Sequence, residues 1–208
     1  MQQKSIPELE GVHIMTEAER QRFAACSGEA YVGYPLFDWM FRGQSGIEIS
    51  RATWHANYAA FTNSVLAYTD STDISGTAVF VRPGGRPLND LRFLLHSPCS
   101  LWRHMPRMLR YSIFCESVAH RYINDGAWYL YDLAVRPECQ GKGVASRLLR
   151  PMLAYLDREG AECYLETHDA KNVAMYEHFG FELMESPFLP HSTLRHYAML
   201  RKPKPNVS

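Results

Sequence analysis

Hydrophobic side chains recur at helical spacing between residues 144 and 156, as Val144, Leu148, Leu149, Met152, Leu153 and Leu156. This predicts a helix running to Gly160 with one apolar face that a sheet must cover. The segment before it, Trp128-Tyr129-Leu130-Tyr131-Asp132-Leu133-Ala134-Val135, is rich in aromatic and apolar residues and predicts a buried strand. By the two-residue period of a strand, Tyr129 and Tyr131 share a face and Asp132 points the other way.

The rest of the chain divides in the same manner. A short strand is expected at 11–15. Thr16 and Glu19 have capping-box spacing, so 17–30 predicts a helix. Residues 31–41 are dense in aromatics (Tyr31, Tyr34, Phe37, Trp39, Phe41) and broken by Gly33 and Pro35, which suits either core or a loop. A second helix is expected at 51–63, and a strand pair at 65–69 and 77–82 joined by a polar stretch ending at Gly76. Residues 86–124 read as mostly helical, interrupted at Pro98 and Pro106. A strand at 163–166, a short helix at 172–179 closed by Gly180, and strands at 181–184 and 193–200 complete the chain. The tail from Lys202, with Pro203 and Pro205, reads as frayed. This order is that of a mixed α/β (α+β) sheet.

Composition narrows the class. A chain of 208 residues suits one domain, or one with an insertion. Twenty-two basic residues balance twenty-two acidic ones, so no global attraction to nucleic acid or membrane is expected. The five cysteines are scattered, odd in number and form no C-x-x-C, which argues against a disulfide framework or a zinc site and for a reducing compartment. Nine histidines show no H-x-x-x-H or H-E-x-x-H, so no metal ligation is expected. Residues 1–10 do not resemble a signal peptide, and no apolar run approaches the ~18 residues of a membrane span. A cytoplasmic protein is the expectation.

Chemistry concentrates between the strand and the helix. Gly141 and Gly143 leave bare backbone for a ligand, and the N–H groups that open a helix attract anions. Neither G-x-x-x-x-G-K-[ST] nor G-x-G-x-x-G with its later acid is present. The residues that stand here, Gln140-x-x-Gly143-x-Ala145, resemble the Q/R-x-x-G-x-G/A pyrophosphate loop of the GNAT acyltransferase superfamily. Trp128-Tyr129-Leu130, Leu133-Ala134-Val135-x-Pro137, Pro151, Gly160, Leu165-Glu166-Thr167, Asn172, Tyr176-Glu177, Gly180-Phe181 and Met199-x-Arg201-Lys202-Pro203 follow in order. Together with Tyr34-Pro35 they resemble the subfamily that includes puromycin N-acetyltransferase. The resemblance is specific over residues 128–203; the first half matches in element order.

The resemblance implies the GNAT fold, with a mostly antiparallel sheet splayed between its fourth and fifth strands and flanked by helices. It implies a single domain over 1–208, with an acceptor-side half at 11–125 that includes an added helical segment at 86–124. An acetyl-CoA-binding half would cover 126–202, followed by a frayed tail at 203–208. Acetyl-CoA would be the acyl donor. Gln140 and the amides of Gly141, Lys142, Gly143, Val144, Ala145 and Ser146 would cradle its pyrophosphate. The backbone of Leu133, Ala134 and Val135, with Asn172, would hold the pantetheine arm. Tyr176 matches the tyrosine that faces the thioester sulfur; a phenol of pKa about 10 can protonate a leaving thiolate. Glu166 is the carboxylate candidate for a base. Many superfamily members carry a glutamate base where this chain has Tyr129, so a base at Glu166 and a solvent relay both stay open.

Tyr34, Phe37, Tyr129 and Tyr131 would line the acceptor pocket. Six arginines against two acids over residues 86–121 read as a solvated face, or as attraction for the CoA 3′-phosphate. The implied activity is direct N-acetyl transfer in a ternary complex, to a primary amine of a small molecule, by a monomer or homodimer. A protein or peptide amine is the alternative acceptor, and a non-catalytic acyl-CoA-binding module the alternative class. Packing for Tyr176, and capping for Glu166 and Asn172, stay open beside the catalytic readings.

Overall fold

The computed structural model describes residues 7–204. Seven strands form one sheet in the order β1-β2-β3-β4-β5-β7-β6. The strands are β1 (His13–Ile14), β2 (Val65–Thr69), β3 (Gly76–Val81), β4 (Trp128–Val135), β5 (Cys163–Thr167), β6 (Glu182–Glu185) and β7 (Tyr197–Arg201). Neighbours are antiparallel except β4 and β5, which run parallel. The helices are α1 (Arg20–Ala30), α2 (Pro35–Met40), α3 (Ile47–Ala60), α4 (Asp90–His96), α5 (Cys99–Trp102), α6 (Met105–Ala119), α7 (Val144–Glu159) and α8 (Ala170–His178).

The apolar face of α7 is the one its spacing predicts: Val144, Leu148, Leu149, Met152, Leu153 and Leu156 are all buried. They pack with Leu66, Phe80, Trp128, Leu130, Leu165 and Met199 on one side of the sheet. Gly76 permits this approach, because a Cβ there would lie 2.7 Å from Val144 Cγ1 and 2.8 Å from the Ala134 carbonyl oxygen. On the other side, Phe23, Trp54 and Tyr58 of α1 and α3 pack with Ala67, Val79 and Tyr131.

Several boundaries differ from the pattern reading. The helix expected at 51–63 runs from Ile47 to Ala60, because Gly46 opens it in extended conformation. Residues 35–40 are helical, with Pro35 preset for the first turn behind Tyr34. Pro98 does break the 86–124 segment, but Pro106 starts α6 rather than interrupting it. The last strand begins at Tyr197, and residues 193–196 form a loop instead. Of the tail expected at 203–208, residues 205–208 lie outside the described residues, while the Lys204 N–H donates to Asp157 at 2.8 Å. No helix among the described residues is long and apolar enough to cross a membrane.

Candidate active site

The site begins where two parallel strands part. β4 pairs with β5 at Trp128, Tyr129 and Leu130 and no further, whereas its pairing with β3 continues to Val135. From Tyr131 to Val135 the β5-facing edge of β4 therefore has backbone N–H and C=O groups without a strand partner. Such an edge can take an extended amide-bearing chain as an added strand.

A bulge sits at the same place. Val79 pairs with Asp132 and Phe80 with Leu130, so Tyr131 is an extra residue in β4. The bulge cancels the two-residue alternation and corrects the expectation for Asp132. Its carboxylate turns to the face of Tyr131, where Oδ2 accepts from Ser27 Oγ of α1 at 2.9 Å and from Thr77 Oγ1 at 3.4 Å. Tyr131 meets Trp54 of α3 on that same side. Burial pushes the Asp132 carboxyl up to about 7, against the opposing pull of the Ser27, Tyr31 and Thr77 hydroxyls.

Past β4 the chain turns through Gly141 and Gly143, both with left-handed φ, at +73° and +76°. No atom lies within 4 Å of a Cβ built on Gly141, and a Cβ on Gly143 would meet only Arg147 Nη1 at 3.7 Å. The concavity is thus open, and its glycines are required by backbone conformation. Gly143 is the residue before α7 and makes no side-chain cap; the first turn carries no acid. The N–H groups that open α7 are left facing outward, a cradle that fits a diphosphate. Gln140 bonds back to the Val135 carbonyl at 3.3 Å, tying the loop to the strand end. Lys142 is exposed, and Ala145 and Ser146 are half-buried.

On the other lip of the gap stands Glu166, one residue before the end of β5. Its Oε1 accepts from Tyr129 Oη at 3.0 Å and its Oε2 from Tyr164 Oη at 3.2 Å. Burial raises the Glu166 pKa, opposed by the hydroxyls of Tyr129, Tyr164 and Tyr111 and the Cys115 thiol. Tyr34 closes this end: its hydroxyl is 3.0 Å from Thr167 Oγ1 and accepts the His168 N–H at 2.8 Å. Asn172 Nδ2 donates to Thr167 Oγ1 at 3.2 Å. Tyr176, one turn further along α8, is buried against Phe181. Burial raises its phenol pKa, with Tyr34 and Asp132 adding to the rise, so it is a neutral donor.

The fold therefore brings Tyr34, Tyr129, Glu166, Asn172 and Tyr176 around one gap, with Leu133, Ala134 and Val135 along its edge. Tyr131 is half-buried among Trp54 and Phe61. Phe37 is 4% exposed and packed against Tyr31 and Phe41, which is a core position. Among the arginines of 86–121, Arg107 caps the Trp39 carbonyl and Arg121 pairs with Glu185. Pattern reading missed Ser27, Thr77, Tyr164 and His168. Tyr164 could have been found, because it alternates with Glu166 along β5.

This topology is shared with known proteins. A crystal structure of a histone acetyltransferase HPA2-related acetyltransferase from Corynebacterium glutamicum superposes with a TM-score of 0.63 at 20% identity, covering 97% of this chain and 100% of the other. Its fold is that of the GNAT acyltransferases. The PaiA N-acetyltransferase of Thermoplasma acidophilum, in complex with coenzyme A, superposes with a TM-score of 0.53 at 12% identity, covering 94% and 99%. Residues 113–181 match the acetyltransferase (GNAT) family. An uncharacterized N-acetyltransferase of Schizosaccharomyces pombe is 30% identical over 135 residues, 56% of this chain. The matched region spans about half that relative's length (51%). The chain is thus similar to GNAT acetyltransferases over residues 113–181 and shares their fold.

Proposed function

We propose that this GNAT-fold chain is a single-domain, cytoplasmic enzyme that moves the acetyl group of acetyl-CoA directly to a primary amine of a small molecule. We further infer that it stands near the puromycin N-acetyltransferase-like subfamily. The observation that carries the reading is the parting of β4 from β5. An open strand edge leads from the glycine cradle at α7 to a gap walled by two buried carboxyls and a neutral tyrosine.

In this reading the amides of residues 141–146 hold the pyrophosphate, and the β4 edge from Leu133 to Val135 binds the pantetheine arm. The thioester then reaches the gap beside Tyr176. Aminolysis needs removal of a proton from the amine and protonation of the departing thiolate. Glu166 is the base, its carboxylate held by the hydroxyls of Tyr129 and Tyr164 and its pKa raised by burial, which makes it a stronger proton acceptor than a surface carboxylate. Tyr176 gives its proton to the sulfur as charge develops there. A small acceptor suits a site whose walls, Tyr34, Tyr129 and Tyr131, are aromatic and half-buried.

The test is release of the CoA thiol with a panel of small amines and peptides. Small amines should support turnover. Tyr176→Phe should lower kcat by about 10- to 1000-fold while acetyl-CoA affinity, measured by calorimetry, stays within a few-fold, because the ring still packs. Turnover with peptides alone would move the acceptor class. Acetyl-CoA binding without turnover on any amine would leave a binding module, and an unchanged kcat in the variant would return Tyr176 to packing.

A further inference from the structure

Behind Glu166, three side chains from separate elements turn ligand atoms toward one point. Cys115 comes from α6, His168 from the turn after β5, and His196 from the loop before β7. His196 Nδ1 lies 3.1 Å from His168 Nε2 and 3.8 Å from Cys115 Sγ, and the three atoms lie within 4.8 Å of one another. All three residues are buried, His196 completely. Hydrogen bonding uses this arrangement poorly. The facing nitrogens of His168 and His196 can make at most one hydrogen bond between them. The thiol is a weak donor. On its far side, His196 Nε2 is buried without a hydrogen-bond partner, 3.7 Å from Glu166 Oε2.

We propose that Cys115, His168 and His196 form a binding site for a divalent metal ion of borderline softness, best matched by Zn²⁺. One thiolate and two imidazoles are zinc's usual donors. Tetrahedral bonds of about 2.3 Å to sulfur and 2.0–2.1 Å to nitrogen put neighbouring ligand atoms roughly 3.3–3.6 Å apart. The distances of 3.1 and 3.8 Å bracket that spacing; the remaining pair, Cys115 and His168, lies within 4.8 Å and would draw together on binding, with a water as fourth ligand. Glu166 stands where an outer partner belongs. Metal on His196 Nδ1 leaves the proton on Nε2, aimed at the carboxylate, which fixes the ring as metal-bound histidines are fixed elsewhere. The charges also balance: a doubly charged cation, the thiolate and the Glu166 carboxylate sum to zero inside the protein. The Cys115 proton leaves to solvent on binding. The ion would pin α6, an added helix of the β3–β4 connection, to the strand ends that border the gap.

Cobalt is the probe. The full chain is stripped with a chelator and titrated with Co²⁺, following the visible d–d bands and the near-ultraviolet thiolate-to-cobalt band. Wild type should saturate at about one ion per chain with tetrahedral intensity, and Zn²⁺ should displace the cobalt. Cys115→Ser should lose the thiolate band, and Glu166→Gln should bind cobalt about 10- to 100-fold more weakly. Circular dichroism checks that each variant is folded; should Cys115→Ser unfold, the wild-type spectrum and its displacement by zinc decide alone. No tetrahedral spectrum in wild type, or the same spectrum in folded Cys115→Ser, overturns the proposal and leaves the three side chains as a hydrogen-bonded cluster. Because cobalt binding is the readout, the outcome is independent of acetyl transfer.

Discussion

The Asp132 carboxyl meets hydroxyls rather than a cation. Ser27 and Thr77 donate to one oxygen, and the other is buried without a hydrogen-bond partner beside the aromatic wall. Cys26, Tyr31, Tyr58, Tyr131 and Tyr176 are the titratable groups around it, and all are neutral at pH 7, held so by burial. With a folded pKa near 7 against about 3.9 in the unfolded chain, the native state holds this proton more tightly. The associated stability is fully present below about pH 4, is lost as pH rises toward 7, and changes no further above that. Asp132→Asn mimics the protonated form. Its melting temperature should therefore gain on wild type as pH rises from about 4 to about 7, measured by calorimetry across that window. Parallel profiles for the two proteins would show that Asp132 titrates as an ordinary surface acid.

At the scale of elements, the packing of α7 on β3 depends on the missing side chain of Gly76. An alanine Cβ would press on Val144 and Leu148, which can turn, and on the Ala134 carbonyl, which cannot. Gly76→Ala should cost about 1–3 kcal/mol in urea unfolding, the range for overpacked sites. A change below about 0.5 kcal/mol would mean that α7 shifts freely, and with it the cradle at its N-terminus. How legible each element was follows from how local its cause is. The buried face of α7 and the glycine cradle were readable because spacing within a dozen residues determines them. The bulge at Tyr131 was not, since it arises from pairing with β3, and so the side taken by Asp132 was lost with it. The helix at 47–60 was misplaced at its start because Gly46, a residue that usually signals a break, opens it. Cys115, His168 and His196 lie far apart in the chain, so no short spacing could mark them as neighbours. Tyr176 stood out by resemblance and Glu166 as a carboxylate at a strand end, and their partners came from the fold.

At the scale of the molecule, the sheet joins two stretches of chain along one seam. β2 and β3 form a hairpin closed by residues 70–75, while β3 meets β4 only after residues 82–128 have been looped out. Short loops close cheaply and early, and each doubling of loop length adds roughly 0.6 kcal/mol of entropy cost. Pulse-labelled hydrogen exchange during refolding should therefore protect the amides shared by β2 and β3 before those shared by β3 and β4. Simultaneous protection would mean that the excursion carries nucleating structure of its own. The bulge at Tyr131 lies on this seam, and the unpaired edge of β4 faces away from it, toward β5. Because β5 follows β4 in the chain, a nascent chain that has emerged only as far as β4 has no cleft to bind in, whatever it has already folded.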